Sequence, residues 1–181
     1  MVGDGWVSGL LLADARRASI LGTRIGDAEF HGLVRKLVRE SNRIEGIRRT
    51  THREVDATRQ FLDLPTITVP DVCRLVAAFQ VSGVIRDRPG LNVYIGRHRP
   101  PPGGLDIVRS LEILLDQIRQ DQLTPYQAHF DYETLHPFTD GNGRSGRAIW
   151  MWQMLRLGEM RLLSLGFLHA FYYQTLAASR R

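Results

Sequence analysis

Cysteine and lysine are almost missing from this 181-residue chain, each present once, as Cys73 and Lys36. A single thiol cannot close an intramolecular disulfide and cannot build a Cys-rich metal site, so nothing points to an oxidising compartment. Long apolar runs are missing too. The longest near the N-terminus is Leu10 to Ala13, far too short for a signal core or a membrane span, and no basic start accompanies it. The expectation is a cytoplasmic protein with no membrane contact, although export by a specialised secretion system would leave no such mark. No strong linker breaks the chain, so residues 1–181 are expected to form one domain. Arginine, by contrast, is abundant: the formal net charge is +5 and the pI about 10.0. That keeps nucleic-acid binding open as a second class of function. The basic patches are short, at Arg48-Arg49, Arg97-His98-Arg99 and Arg180-Arg181, so a nucleic-acid or interaction module is kept only as the alternative.

Chemistry concentrates in one run, His136-Pro137-Phe138-Thr139-Asp140-Gly141-Asn142-Gly143-Arg144-Ser145-Gly146-Arg147. Gly141-Asn142-Gly143 lets the backbone take positive φ and approach a ligand closely. The apolar stretch Ala148 to Trp152 behind it reads as the body of a buried helix, so the run marks a helix N-terminus where unpaired N–H groups favour phosphate oxygens. His136 titrates near neutrality and suits a general base. Asp140 offers hard oxygen to Mg²⁺, which takes one or two protein carboxylates and completes its shell with water and phosphate. Arg144 and Arg147, three apart on a helix, each present a planar fork to phosphate oxygens.

This run resembles the signature of Fic (Fic/Doc) family proteins, His-x-Phe-x-Asp/Glu-Gly-Asn-Gly-Arg-x-x-Arg, at every fixed position. The resemblance implies an all-α, mainly helical fold with a short β-hairpin flap, and transfer of AMP from ATP to a protein hydroxyl with release of pyrophosphate. It makes His136 the base, Asp140 the Mg²⁺ ligand and Gly141, Asn142 and Gly143 the anion cradle, with Asn142 on the α-phosphate, Arg144 on the β-phosphate and Arg147 on the γ-phosphate. Phe138 would anchor the loop in the core. The phosphotransferase branch has Lys at the glycine after the acidic position, so Gly141 favours AMP transfer; a de-AMPylase or another nucleotidyl or phosphoryl transferase is the alternative within the fold.

Far upstream lies Glu40-Ser41-Asn42-Arg43-Ile44-Glu45-Gly46, where Ser41 and Glu45 fall one turn apart on a helix and Gly46 follows where that helix could end. It resembles the Ser/Thr-x-x-x-Glu-Gly/Asn inhibitory motif of the family, which implies that Glu45 pairs with Arg147 and obstructs the γ-phosphate. Between the two motifs, Leu91-Asn92-Val93-Tyr94-Ile95 alternates apolar and polar residues between turn-formers, as a short strand does. It is similar to the Fic flap, which implies docking of an extended target segment by β-strand addition. Arg86, just before it, is left open between positioning the flap and touching a phosphate.

The rest reads as scaffold. Helices are expected from Asp27 to Arg48, from Thr51 to Leu62, through Val72, Leu75, Val76 and Phe79, through Ile107 to Ile118, from Pro125 to Leu135, and over Ser164 to Ala178. His129 and Glu133 are taken as a structural pair, and Phe171 to Tyr173 as a candidate border of the adenine pocket. The domain then divides into an extension at 1–26, an inhibitory helix region at 27–50 and a core at 51–181 with the flap near 86–99. Self-modification and a homo-oligomer are further expected partnerships beside the docked target protein.

Overall fold

Capping chemistry decides where the helices of this chain begin. In the computed structural model, which describes residues 26–167, they are α1 (Asp27–Ile44), α2 (His52–Asp63), α3 (Val69–Phe79), α4 (Leu105–Arg119), α5 (Pro125–Leu135), α6 (Asn142–Arg156) and α7 (Met160–Ser164). The Thr51 hydroxyl accepts from the Glu54 N–H while the Glu54 carboxylate accepts from the Thr51 N–H, and this reciprocal box starts α2. Asp71 accepts from the Thr68 N–H at the start of α3, and Thr124 with Gln127 repeats the box at α5, where Pro125 supplies a preset φ. The mainly helical class expected from the sequence is the one observed.

Helix α1 stops earlier than its expected end at Arg48. Gly46 takes φ 74°, its N–H donates to Arg43 O, and the Ile47 N–H donates to Asn42 O. This glycine-terminated cap satisfies the last carbonyls and leaves Glu45 as the final residue at the helix end.

Helix α6 is buried on nearly every side and packs against α1, α2, α3, α5 and α7. The core around it includes Leu37, Val72, Leu111, Ile118, Tyr132 and Ile149. The charged start of α6 is therefore held at the centre of the bundle. Among the described residues, no helix is long and apolar enough to cross a membrane.

The hairpin expected near 86–99 is corrected to something smaller. Ile95 and His98 exchange both backbone hydrogen bonds around Gly96-Arg97, but Leu91 to Tyr94 forms no ladder. The alternation survives without it: Leu91, Val93 and Ile95 are half-buried while Asn92 and Tyr94 are exposed. A second isolated bridge joins Ile85 to Phe138 and ties the stretch before the flap to the loop between α5 and α6. The N-terminal extension and Phe171 to Tyr173 lie outside the described residues.

Candidate active site

The loop between α5 and α6 is built to hold two unusual backbone conformations close together. His136 caps α5 in the left-handed region, at φ 49° and ψ 63°, and Gly141 caps the start of α6 at φ 82°. A non-glycine residue at positive φ is strained, and the surroundings must hold it there. The Asn142 side chain does part of this work, accepting from the Phe138 N–H at 2.8 Å and donating to Phe138 O at 2.7 Å. Phe138 itself is buried in the core. With its amide oxygen and one amide N–H committed to the loop, Asn142 also presents its backbone N–H at the helix start. That N–H, with those of Gly143 and Arg144, belongs to the first turn of α6, where no intrahelical acceptor exists.

A cavity of about 340 Å³ opens over this turn, lined by His136, Asp140, Gly143 and Arg144 together with Glu45 and Ile47 from the end of α1. The Asp140 side chain is exposed, and its Oδ1 accepts from the Gly141 N–H at 2.5 Å. Arg144 is buried, donates to Phe79 O at 3.0 Å, stacks over the Phe79 ring and lies 3.6 Å from the Glu54 carboxylate. Burial lowers its pKa, and Glu54 opposes that shift.

Arg147 is the most enclosed cation of the site, 2% exposed. Its Nε donates to Ser41 Oγ at 2.8 Å, and its Nη2 donates to Ser41 O at 3.1 Å and to Glu45 Oε1 at 2.6 Å. The two sequence motifs, about a hundred residues apart, thus meet at one guanidinium. A Cβ on Gly143 would displace the Glu45 carboxylate from this contact.

Helix α5 contributes more than its last residue. Glu133 Oε2 lies 3.8 Å from His136 Nδ1, so the residue expected only as a structural partner of His129 also faces the base. Tyr132 OH pairs with Ser145 Oγ at 2.7 Å, and burial pushes the Tyr132 phenol well above its ordinary pKa, keeping it a neutral bridge between α5 and α6.

One participant, Glu54, escaped the sequence reading, and the structure decides between the two roles left open for Arg86. Glu54 looks like an ordinary capping-box acid, yet its Oε1 also takes Asn42 Nδ2 at 3.3 Å and faces Arg144, joining α1 and α2 to α6. Arg86 touches no phosphate position: it is fully buried and donates to four main-chain carbonyls, those of His136, Leu135, Pro101 and Leu91. Neither role has a local signal, since each depends on pairing across 50 or more residues or on backbone atoms.

The Fic/DOC family model matches residues 66–154. The protein adenylyltransferase Fic of Drosophila mojavensis is 38% identical over 72 residues, covering 36% of this chain and 14% of the relative. Its counterpart in Culex quinquefasciatus is also 38% identical over 72 residues, with 36% of this chain and 14% of the relative covered. The match therefore takes in a small part of these curated relatives. A crystal structure of a Fic family protein from Desulfovibrio desulfuricans G20 aligns with a TM-score of 0.58 over 99% of this chain and 68% of that one, at 21% identity, and so shares the fold. The matched segment runs from the approach to α3 into α6 and contains the whole loop, cradle and arginine pair, so residues 66–154 of this chain are of the Fic/DOC family.

Proposed function

We propose that this chain transfers AMP from Mg-ATP to a hydroxyl side chain of a target protein, with release of pyrophosphate, and that Glu45 restrains the reaction. The observation that carries this reading is the clustering of His136, Asp140, the start of α6 and the buried Arg144 around one cavity, with Glu45 in its lining and bound to Arg147. Relatives named protein adenylyltransferase Fic support the same chemistry.

In this mechanism the nucleotide phosphates lie along the first turn of α6, against its N–H groups and the positive end of the helix dipole. His136, held at the end of α5 with Glu133 near Nδ1, accepts the proton of the attacking hydroxyl at its other nitrogen. The hydroxyl oxygen bonds to the α-phosphorus as the bond to pyrophosphate breaks, and the leaving group departs toward Arg144 and Arg147. The protein's work is positioning and charge stabilisation.

Asp140 fits a Mg²⁺-nucleotide. Its exposed carboxylate stands beside the cradle, and the Gly141 N–H occupies Oδ1 only. Among the described residues no three His, Cys, Asp or Glu side chains gather to hold a metal alone, which suits an ion completed by phosphate and water. Bound there, Mg²⁺ would neutralise phosphate charge.

In this reading Glu45 occupies the arginine that the γ-phosphate needs. ATP labelled on the α-phosphate should mark a protein in lysate or the chain itself, and ATP labelled on the γ-phosphate should not; mass spectrometry then names the acceptor residue. Transfer of the γ label alone would make the chain a kinase and remove the adenylyltransferase reading.

A further inference from the structure

A fully buried arginine with no carboxylate beside it is costly, because the guanidinium loses water and gains no counter-ion. Arg86 is such a residue: it is 0% exposed and, among the described residues, forms no ion pair. Burial lowers its pKa. Carbonyl dipoles take the place of an acid. Its Nε donates to His136 O at 2.7 Å, Nη2 to Leu135 O at 2.9 Å, and Nη1 to Pro101 O at 2.8 Å and to Leu91 O at 3.3 Å. Two of these acceptors are the last carbonyls of α5, the negative end of that helix, where a cation is favoured.

The other two acceptors lie on opposite limbs of the flap. Leu91 begins the segment expected to receive a target, and Pro101 ends the return from it. The main chain of Arg86 extends the same knot, since its N–H donates to Pro137 O at 2.9 Å and its carbonyl accepts from the Gly104 N–H at 2.9 Å. The limbs are also joined directly, the Gly103 N–H donating to Asn92 Oδ1 at 2.9 Å. One side chain therefore ties both limbs of the flap to the carbonyl of His136 itself.

We propose that Arg86 is a positioning residue that sets the distance between the docked acceptor hydroxyl and the His136 imidazole, by locking flap and base into one unit. The inference rests on the adenylyltransferase reading for its catalytic consequence and on geometry alone for the coupling. His136 needs an outside hold because its φ of 49° is unfavourable for a histidine. A flap with no strand ladder of its own needs one as well. A five-donor planar fork can span four carbonyls, whereas a lysine ammonium with three donors at one point cannot. The nucleotide cradle is fixed separately, by Asn142 on Phe138 and by α6. Loss of Arg86 thus acts on the acceptor side of the reaction.

The test uses the full chain carrying Glu45→Gly, with and without Arg86→Lys, and a third protein carrying Gly103→Ala with Glu45→Gly. A Cβ on Gly103 would meet Leu91 O and Arg88 O at 2.7 Å, so this change displaces the clamped limbs and leaves Arg86 intact. The expected result is that Arg86→Lys keeps the Kd for Mg-ATP within about twofold while AMP incorporation from α-labelled ATP, into the chain and into lysate proteins, falls about 100-fold, the scale of a 1 Å misplacement of reacting groups. Gly103→Ala should reproduce the split. Hydrogen exchange should rise together at residues 88–104 and 135–139 in the Arg86→Lys protein. Equal losses of nucleotide binding and transfer, or no loss of either, overturn the inference. If the parent transfers no AMP to any protein, the adenylyltransferase reading falls, and the exchange data still decide the coupling: faster exchange confined to one of the two segments overturns it.

Discussion

Gly146 sits where α5 and α6 come closest, and a Cβ there would lie 2.6 Å from Glu133 Oε1, 2.9 Å from Tyr132 Cδ1 and 3.2 Å from His129 Cε1. All three neighbours lie on one helix, and Tyr132 is held to Ser145, so the crowding cannot be relieved by one rotamer change. Gly146→Ala is expected to destabilise the fold by about 1–3 kcal/mol, as overpacking does, and to shift Glu133 away from His136; urea unfolding of the purified variant checks the first and its transfer rate the second. His136 has a different signature. Its replacement by alanine removes a base but none of the α6 amides or arginines, so AMP transfer should fall about 10²- to 10⁴-fold while Mg-ATP still binds, as isothermal titration would show. A variant that transfers at the parent rate rules out the base. The gathering of His136, Asp140 and the glycines around one cavity was legible because they are packed into twelve consecutive residues. The place of Glu54 was not, and Arg86 stayed open between flap and phosphate, because a carboxylate or guanidinium acquires its meaning here from carbonyls and cations brought near only by folding.

At the scale of elements, the decisive contact is between the end of α1 and the first turns of α6. A helix over 27–48 with a possible stop at Gly46 could be read from spacing, and the structure chooses the stop: ending α1 before Gly46 leaves Glu45 at its tip, within 2.6 Å of Arg147. Sequence spacing could not tell how far the flap departs from a true hairpin, since alternation of Leu91, Val93 and Ile95 marks a face and says nothing about a ladder partner. If α1 restrains the enzyme through this contact, Glu45→Gly frees Arg147 for the nucleotide. A hydrogen bond to a charged group contributes about 1.5–3 kcal/mol, equivalent to roughly 10- to 150-fold. Transfer by Glu45→Gly should therefore rise at least about tenfold at saturating Mg-ATP. Adding Arg147→Ala should cancel most of the gain, because both changes act on one phosphate contact and coupled sites do not add. Equal rates for parent and Glu45→Gly would reduce Ser41 to Gly46 to a structural helix end.

For the whole molecule, if the same contact restrains transfer, stability and activity pull in opposite directions. Helix α6 touches five other helices, so whatever binds its first turn is felt by the entire core. Without nucleotide, the Glu45–Arg147 pair is one of the ties that hold α1 against α6, together with the Ser41 bonds to Arg147. Removing it takes the Glu45 carboxylate away from a 2%-exposed guanidinium, which keeps its bonds to Ser41. Glu45 itself is 36% exposed, so solvent already screens part of the pair and the loss is set at about 1 kcal/mol. For a chain of this size that lowers the melting temperature by roughly 2–4 °C. Nucleotide reverses the order. On the proposed reading Glu45→Gly offers the triphosphate an arginine that the parent withholds and should bind Mg-ATP more tightly, and a ligand at 100 times its Kd stabilises by about 2.7 kcal/mol. The expected outcome is that Glu45→Gly melts below the parent without ligand and at or above it as Mg-ATP is raised, the two curves crossing. A thermal-shift titration with Mg-ATP measures this directly and needs no target protein. Parallel curves, with Glu45→Gly below the parent at every concentration, would mean that the pair holds the fold together without competing for nucleotide.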